Sequence, residues 1–376
     1  MQAYCITINN FYLIPVTRYI LQLFAKRYET VVVECHIKGQ YPVEGLRGHR
    51  FIGHFSGFKA LSQQTIFFKV WKYLYIHLQL IRLLGKKSLV LYTPDWQVAA
   101  ILFRYKELFG KKEWKIIYHQ FELIEDHQLA GNNLKTWKTV LKKSYLADLL
   151  IFPEINRLEY YRMKGDVRNT SCIVFPNTCK TSEAAPTEEN SLLKEKIPDN
   201  AMVVGHIGNV GPNHYLQQFV DIIEACTEEN IYFVLAGRYA PAVMNIFNNI
   251  RNPKLIYLGE LPHQELGKIY ARLDTGFILY KGVDLNFEYC APNKLYEYWS
   301  YGIPVIAHSL TGLKPVFDTN EKGHLLDFEN NNIVQTAREK IKNHIPSKEK
   351  LIKQFRQTLD IDIQMNILNE KLKSIT

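Results

Sequence analysis

Residues 286–307 read NFEYCAPNKLYEYWSYGIPVIA, in which a loop, a helix, a tight turn and an apolar strand follow one another. The loop holds Pro292 and Asn293 and leads into a helix that carries Lys294 and Glu297. A helix N-terminus offers unpaired backbone N–H groups to an anion, and Lys294 adds a full charge, so the segment predicts a diphosphate site. Glu297, one turn further along, could accept two hydrogen bonds from the vicinal hydroxyls of a ribose.

Short apolar runs rich in β-branched residues alternate with helical segments along the whole chain, which is typical of buried parallel strands. The predicted strands are 4–8, 30–35, 88–92, 114–118, 149–152, 172–175, 202–207, 231–236, 255–258, 275–279 and 304–307. This alternation favours an α/β fold of doubly wound parallel sheets with right-handed crossovers. Ligands bind such sheets at the carboxyl ends of the strands, so the loops just after strands hold the candidate site residues.

The length of 376 residues predicts two domains, at roughly 150 residues per domain. A polar run after residue 180 suggests the division: a first domain at 1–180, a linker at 181–200, a second domain at 201–347 and a helical region at 348–376. Two Rossmann-like domains of similar size would then face a cleft. A composition of 47% hydrophobic and 22% charged residues excludes a disordered or collagen-like chain.

Positive charge is concentrated in the first half of the chain. Residues 1–180 hold 26 Lys and Arg against 13 Asp and Glu, whereas the remaining residues hold 20 against 24. Residues 45–94 contain no acidic residue, and 65–84 resemble a basic amphipathic helix with interleaved aromatic residues. This composition suits either an anionic membrane surface or an ordinary domain helix with one solvated basic face. Nucleic acid is not expected as a partner, because no binding motif accompanies the charge.

The six cysteines are scattered, without the spacing of a metal site or a disulfide framework, which favours a reducing cytoplasm. No signal peptide is expected, because the first residues lack a basic segment and a cleavage site. No run reaches the ~18 apolar residues of a transmembrane helix. We therefore expect a cytoplasmic protein, peripheral at most on the cytoplasmic face of the inner membrane.

Residues 292–306, PNKLYEYWSYGIPVI, resemble the C-terminal signature of the GT-B glycosyltransferases, P-N-K-L-F-E-Y-x-x-x-G-x-P-V-I. The resemblance is strongest to retaining glycosyltransferase family 4, the glycosyl transferases group 1. Shorter matches are HIGN at 206–209, LAGR at 235–238, YLGEL at 257–261 and FPN at 175–177. The resemblance implies the GT-B architecture, with the C-terminal helical region crossing back to the first domain.

The resemblance also implies which residues bind a nucleotide-sugar donor. Glu297 would hold the ribose, and backbone groups from Gly259 to Leu261 would meet the nucleobase. The family places its first glutamate eight residues before its second, where this chain has Tyr289, with Glu288 one residue further off. Either of these two would meet the donor sugar.

The diphosphate site departs from the family's pattern. The family often places an Arg and a Lys after the first strand of the second domain, and residues 208–215 contain neither. Lys294 and Arg238, with Asn293 and the backbone of Gly208 and Asn209, would hold the diphosphate instead.

In the first domain, His119 follows a strand within YHQFE at 118–122 and resembles a histidine that the family places near the donor phosphate and sugar. Its imidazole, neutral or protonated, could hydrogen-bond to charge developing in the reaction, or it could merely cap a loop. Glu122 either binds the acceptor or pairs with a nearby lysine, which we favour slightly. His119 and His127 lack helical spacing and a third ligand, so neither a metal nor another cofactor is expected.

These features predict a retaining, metal-independent glycosyltransferase of bacterial envelope polysaccharide biosynthesis. It would move a hexosyl group from a nucleotide sugar to a glycan or lipid-linked acceptor, with His119, Lys294 and Arg238 as catalytic residues. Two alternatives stay open. One is a GT-B nucleotide-sugar epimerase, which needs no acceptor, and the other is a catalytically silent nucleotide-binding or membrane scaffold.

Overall fold

The computed structural model describes residues 1–8, 11, 15–34, 50–52, 66–168, 170–181, 191–239, 241–247, 249–343 and 347–376. These residues form two compact units. The first consists of residues 1–177 and 364–376, and the second of residues 178–363. Each unit has its own sheet and its own hydrophobic core.

The sheet of the first unit has seven strands among the described residues, and every neighbouring pair is parallel. The strands are β1 (Gln2–Thr7), β2 (Glu29–Glu34), β3 (Arg50–Ile52), β4 (Leu89–Thr93), β5 (Trp114–His119), β6 (Leu149–Phe152) and β7 (Ser171–Val174). Their order in the sheet is β3-β2-β1-β4-β5-β6-β7. The order reverses between β1 and β4, which is the point where ligands bind in doubly wound sheets.

The sheet of the second unit has six strands among the described residues and is also wholly parallel. The strands are β8 (Met202–Ile207), β9 (Ile231–Ala236), β10 (Leu255–Tyr257), β11 (Thr275–Ile278), β12 (Val305–His308) and β13 (Gly323–Leu326). Their order is β10-β9-β8-β11-β12-β13. The carboxyl ends of β8 and its neighbours therefore lie along one edge.

Helices connect the strands in both units. They are α1 (Pro15–Arg27), α2 (Ile66–Leu83), α3 (Trp96–Leu108), α4 (Gly131–Lys142), α5 (Ile155–Lys164), α6 (Ser191–Lys196), α7 (Leu216–Ala225), α8 (Pro241–Phe247), α9 (His263–Tyr270), α10 (Leu285–Glu288), α11 (Asn293–Ser300), α12 (Ile333–Asn343), α13 (Lys348–Thr358) and α14 (Ile361–Ile375). The strands are mostly apolar because helices cover both faces of a parallel sheet, and all five residues of β4 are buried.

The doubly wound α/β fold is confirmed, with small shifts at the ends of most elements. The sequence analysis missed β3 and β13, which have only three and four residues, and also α12. Part of the predicted linker 181–200 is folded, because Leu193 of α6 is fully buried in the core of the second unit. Residues 182–190 of that linker lie outside the described residues.

The region from 348 onward is helical, and its residues 364–376 belong to the first unit. Arg27 of α1 donates a hydrogen bond from Nη1 to Oδ1 of Asn369 in α14, at 3.1 Å. Leu368 and Leu372 of the same helix are fully buried. The last helix thus takes part in the packing of the first unit.

The basic segment 45–94 is described only in part, since residues 45–49 and 53–65 lie outside the described residues. The helix predicted at 65–84 is confirmed as α2. None of the helices in the described part of the chain has the length and apolar content needed to cross a bilayer.

Candidate active site

Three loops of the second unit meet at the carboxyl ends of β8, β9 and β10, and each begins with a glycine at positive φ. The N–H of Gly208 donates to Ala236 O at 2.8 Å, and the N–H of Gly237 donates to Gly259 O at 2.8 Å. Gly237 has a φ of 137°, and a Cβ built on it would overlap the carbonyl group of Gly208. The sequence therefore uses glycine here so that two backbone segments can touch.

Helix α11 begins at Asn293 beside these loops, and its first turns carry the charged groups of the site. Lys294 Nζ lies 2.7 Å from Glu297 Oε2, and both side chains are largely buried. The nearest atom to a Cβ built on Gly208 is Cγ of Lys294, at 3.9 Å. The structure thus brings together Gly208, Lys294 and Glu297, as the sequence analysis predicted for a diphosphate and ribose site.

Tyr270 of α9 completes this cluster, and the sequence analysis did not single it out. Its hydroxyl donates to Glu297 Oε2 at 2.6 Å and lies 3.3 Å from Lys294 Nζ. Burial, followed by the Glu297 carboxylate, raises the pKa of Tyr270 well above its usual range, so the hydroxyl keeps its proton and remains a donor.

The two oxygens of the Glu297 carboxylate differ in their surroundings. Oε2 receives bonds from Tyr270 and Lys294, whereas Oε1 has no hydrogen-bond partner among the described residues. The side chain is 14% exposed, so a ligand can reach it. A carboxylate that is held on one side and open on the other can accept a hydrogen bond from a ligand hydroxyl without first reorienting.

Tyr298 fixes α11 against the end of β8. Its hydroxyl accepts a bond from the N–H of Ile207 at 2.8 Å and donates to Gly205 O at 3.3 Å. Its ring lies against Gly276 of β11, where a Cβ would overlap ring atoms. The buried Tyr298 side chain therefore sets the position of Lys294 and Glu297 relative to the loop after β8.

Arg238 lies in the loop after β9 with its side chain exposed. Its backbone N–H donates to Asn209 Oδ1 at 3.2 Å, which ties the loops after β8 and β9 together. Within the described residues the guanidinium makes no ion pair, so it is available to an anion. Gly259 and Leu261 lie in the adjacent loop after β10, where the Tyr257 hydroxyl donates to Gly237 O at 2.9 Å.

Glu288 and Tyr289 lie at the end of α10. Glu288 Oε1 accepts a bond from the N–H of Thr311 at 2.9 Å and a second from the Thr311 hydroxyl, so this oxygen holds the loop after β12. Tyr289 is half-buried. The structure therefore gives Glu288 a bracing contact that the sequence analysis did not foresee.

His119 ends β5 in the first unit and is fully buried. Burial lowers the pKa of His119 to about 3, so the imidazole is neutral at pH 7. Its Nδ1 lies 3.1 Å from the hydroxyl of Tyr92, whose own pKa burial holds well above its usual range. Tyr92 therefore keeps its proton, and Nε2 of His119 has no partner in the described part of the chain.

Glu122, three residues after His119, is exposed. In the portion of the chain that the structure describes it forms no ion pair, so no lysine partner for Glu122 lies among those residues. No three His, Cys, Asp or Glu side chains converge on one point anywhere in the described ranges.

Comparison with known proteins gives a family for the second unit. Residues 201–343 match the family described as Glycosyl transferases group 1. A curated relative, an uncharacterized 41.2 kDa protein in the cps region of Klebsiella pneumoniae, is 27% identical over 253 residues. That match covers 63% of this chain and 64% of the relative, so it spans less than two thirds of the relative's length.

Solved structures match over the whole chain at low sequence identity. Anabaena HepE in complex with UDP superposes with a TM-score of 0.72 at 13% identity, over 99% of each chain. The lipopolysaccharide outer core galactosyltransferase WaaB in its apo form gives 0.68 at 14% identity, over 100% of each. The chain therefore has the GT-B fold of these structures, and its residues 201–343 match the glycosyl transferases group 1.

Proposed function

We propose that the chain is a glycosyltransferase that takes a hexosyl group from a nucleoside-diphosphate sugar. The observation that carries the proposal is the Glu297 carboxylate, held by Tyr270 and Lys294 on one oxygen and open on the other. Lys294, which holds this carboxylate, lies beside the glycine loop after β8 at the start of α11. An open carboxylate suits a ribose, and a cation at a helix N-terminus suits a diphosphate.

The donor would be held along the edge formed by the loops after β8, β9 and β10. Glu297 Oε1 would accept from a ribose hydroxyl, and the backbone from Gly259 to Leu261 would meet the base. Lys294 and Arg238, the two cations of this edge, would contact the diphosphate with Asn293 and the backbone of Gly208 and Asn209. HepE has been crystallised with UDP and with UDP-glucose, which supports a nucleotide-sugar donor.

Catalysis would consist chiefly of stabilising the leaving group. The bond from the anomeric carbon to the diphosphate oxygen breaks, and the negative charge that develops on the diphosphate is stabilised by Lys294, Arg238 and the N-terminus of α11. The acceptor oxygen bonds to the anomeric carbon and gives its proton to the departing phosphate, with retention of configuration and without a metal ion.

The acceptor would be a glycan or a lipid-linked sugar of a bacterial envelope polysaccharide, with Glu122 as a contact. The relative from a cps region and the likeness to a lipopolysaccharide galactosyltransferase support this class. A lipid-linked acceptor would place the chain on the cytoplasmic face of the inner membrane.

The test is a thermal-shift screen with UDP, GDP, CMP, dTDP and ADP and their sugars, followed by product analysis. A ligand at 100 times its Kd stabilises the native state by about 2.7 kcal/mol. We expect one nucleotide family to raise the melting temperature, and Glu297→Ala should abolish this rise. Lys353→Ala, which changes an exposed residue of the same unit, should keep it. A nucleotide sugar that raises the melting temperature but is converted only to its epimer would indicate an epimerase. If no nucleotide raises the melting temperature, the result would favour a catalytically silent scaffold.

A further inference from the structure

Helix α2 turns an aliphatic face toward solvent. Val70, Leu74, Leu78 and Ile81, here named the α2 stripe, are 61%, 45%, 42% and 53% exposed. Their spacing of four, four and three residues places them on one side of the helix, opposite the buried Ile76, Leu80 and Leu83. A surface helix in water ordinarily carries polar residues at such positions, and a contiguous apolar patch of this kind marks an interaction surface.

The aromatic residues of α2 do not form this surface. Trp71, Tyr73 and Tyr75 are only partly exposed and pack against the core of the first unit. The exposed apolar surface of α2 is therefore formed by aliphatic side chains and not by its aromatic ones.

The turn that follows α3 extends the apolar surface. Leu108 and Phe109 are 74% and 50% exposed. The ring of Phe109 lies 5.3 Å from that of Tyr105, and the ring of Tyr105 lies 5.6 Å from His77 of α2. Lys111 donates to Leu84 O, so the C-terminal ends of α2 and α3 are neighbours.

Exposed basic residues lie close in sequence to the C-terminal part of this surface. Arg82 follows Ile81 in α2, and Lys87, Arg104 and Lys112 lie within a few positions of the C-terminal ends of α2 and α3. Of the two acidic residues there, Glu107 pairs with Lys143, and Glu113 is exposed without an ion pair in the described residues. A second copy of the chain would bring the same cations against each other, whereas anionic lipid headgroups would neutralise them.

We propose that the α2 stripe, with Leu108 and Phe109, inserts into the headgroup boundary of an anionic lipid bilayer. The aliphatic side chains enter the acyl region, and the nearby basic residues bind headgroup phosphates, as in helices that lie in the plane of a membrane. The surface belongs to the first unit and the donor-binding residues to the second, so membrane binding is independent of the proposed donor site.

The experiment is sedimentation of the full chain with vesicles of phosphatidylcholine, with and without 30% phosphatidylglycerol, at two salt concentrations. Wild type should bind the anionic vesicles and lose affinity as salt rises. The double substitution Leu74→Ser and Leu78→Ser should lower the binding constant by about tenfold or more, because four-carbon side chains no longer enter the bilayer. Ile367→Ser is the matched control, since Ile367 is 49% exposed in α14 of the same unit, and it should bind as wild type does.

Three outcomes would overturn the proposal: no binding to either vesicle, equal binding of wild type and the double variant, or equal binding to neutral and anionic vesicles. Light scattering on the same samples tests whether the α2 stripe instead binds a second copy of the chain. Dimers that the double substitution disrupts, without vesicle binding, would assign the stripe to self-association. Loss of vesicle binding with unchanged nucleotide thermal shifts would separate this surface from the donor site.

Discussion

Removal of one hydroxyl, by Tyr270→Phe, should weaken donor binding while the fold is kept. The Tyr270 hydroxyl donates to Glu297 Oε2 at 2.6 Å, and Tyr270 is 3% exposed, so the bond is charge-assisted and shielded from water. Such bonds contribute roughly 1.5–3 kcal/mol. Because Lys294 still holds the same oxygen at 2.7 Å, we expect the lower end of that range.

A loss of about 1.4 kcal/mol corresponds to a tenfold rise in the donor's Kd. Isothermal titration with the nucleotide found in the thermal-shift screen measures it. Glu297→Gln and the double variant complete a mutant cycle, in which the two substitutions should be non-additive because one removes and the other weakens the same charge-assisted bond.

Tyr161→Phe is the matched control for this cycle, because it removes a buried tyrosine hydroxyl that bonds to Ser144 in the first unit, at 2.8 Å. It should lower the free energy of unfolding and leave the nucleotide Kd unchanged. If Tyr270→Phe binds the nucleotide as wild type does, or if the cycle is additive, then Tyr270 does not position the Glu297 carboxylate and the reasoning fails.

Three further predictions concern the two units. Gly237→Ala should cost at least about 2 kcal/mol in the free energy of unfolding, measured in urea at unchanged m, because its Cβ meets the backbone of Gly208 at a positive φ. The pKa of His119 is about 3 in the folded protein and about 6.5 in the unfolded chain, so the unfolded state takes up the proton first as the pH falls. The free energy of unfolding therefore decreases below pH 6.5. His119→Gln should abolish this decrease, which is about 2 kcal/mol at pH 5, in urea titrations. Lys294→Ala should weaken binding of the nucleoside diphosphate at least tenfold in titration calorimetry. It should weaken binding of the nucleoside much less, because Tyr270 still holds Glu297, while Lys353→Ala changes neither. An equal effect on both ligands would contradict a diphosphate contact.

The sequence predicted the fold well because a parallel sheet leaves a local signal: its buried strands are continuous apolar runs separated by helices. Elements with a weak signal were missed, such as β3, with three residues, and β13, which reads GHLL. Helix α12 was detectable, since its buried Ile333, Ala337 and Ile341 recur every four residues.

The candidate site was predictable only where its residues are close in sequence. Lys294 and Glu297 are three positions apart on one helix, and their pairing follows from that spacing. Tyr270 is separated from Glu297 by 27 positions and reaches it only because α9 packs beside α11. The contact of Glu288 with Thr311 likewise spans 23 positions, and no local rule links residues so far apart.

The bond network of Tyr298 has a consequence for redesign of donor preference. This one side chain ties α11 to the end of β8 through two backbone groups, and neither belongs to the loop from Gly259 to Leu261. The position of Lys294 and Glu297 is therefore fixed separately from that loop, whereas the loop of Arg238 touches it through the bond from Gly237 N–H to Gly259 O. Libraries meant to change the accepted nucleotide should therefore keep Gly259 and vary Glu260 and Leu261, so that α11 and the loop after β9 keep their geometry.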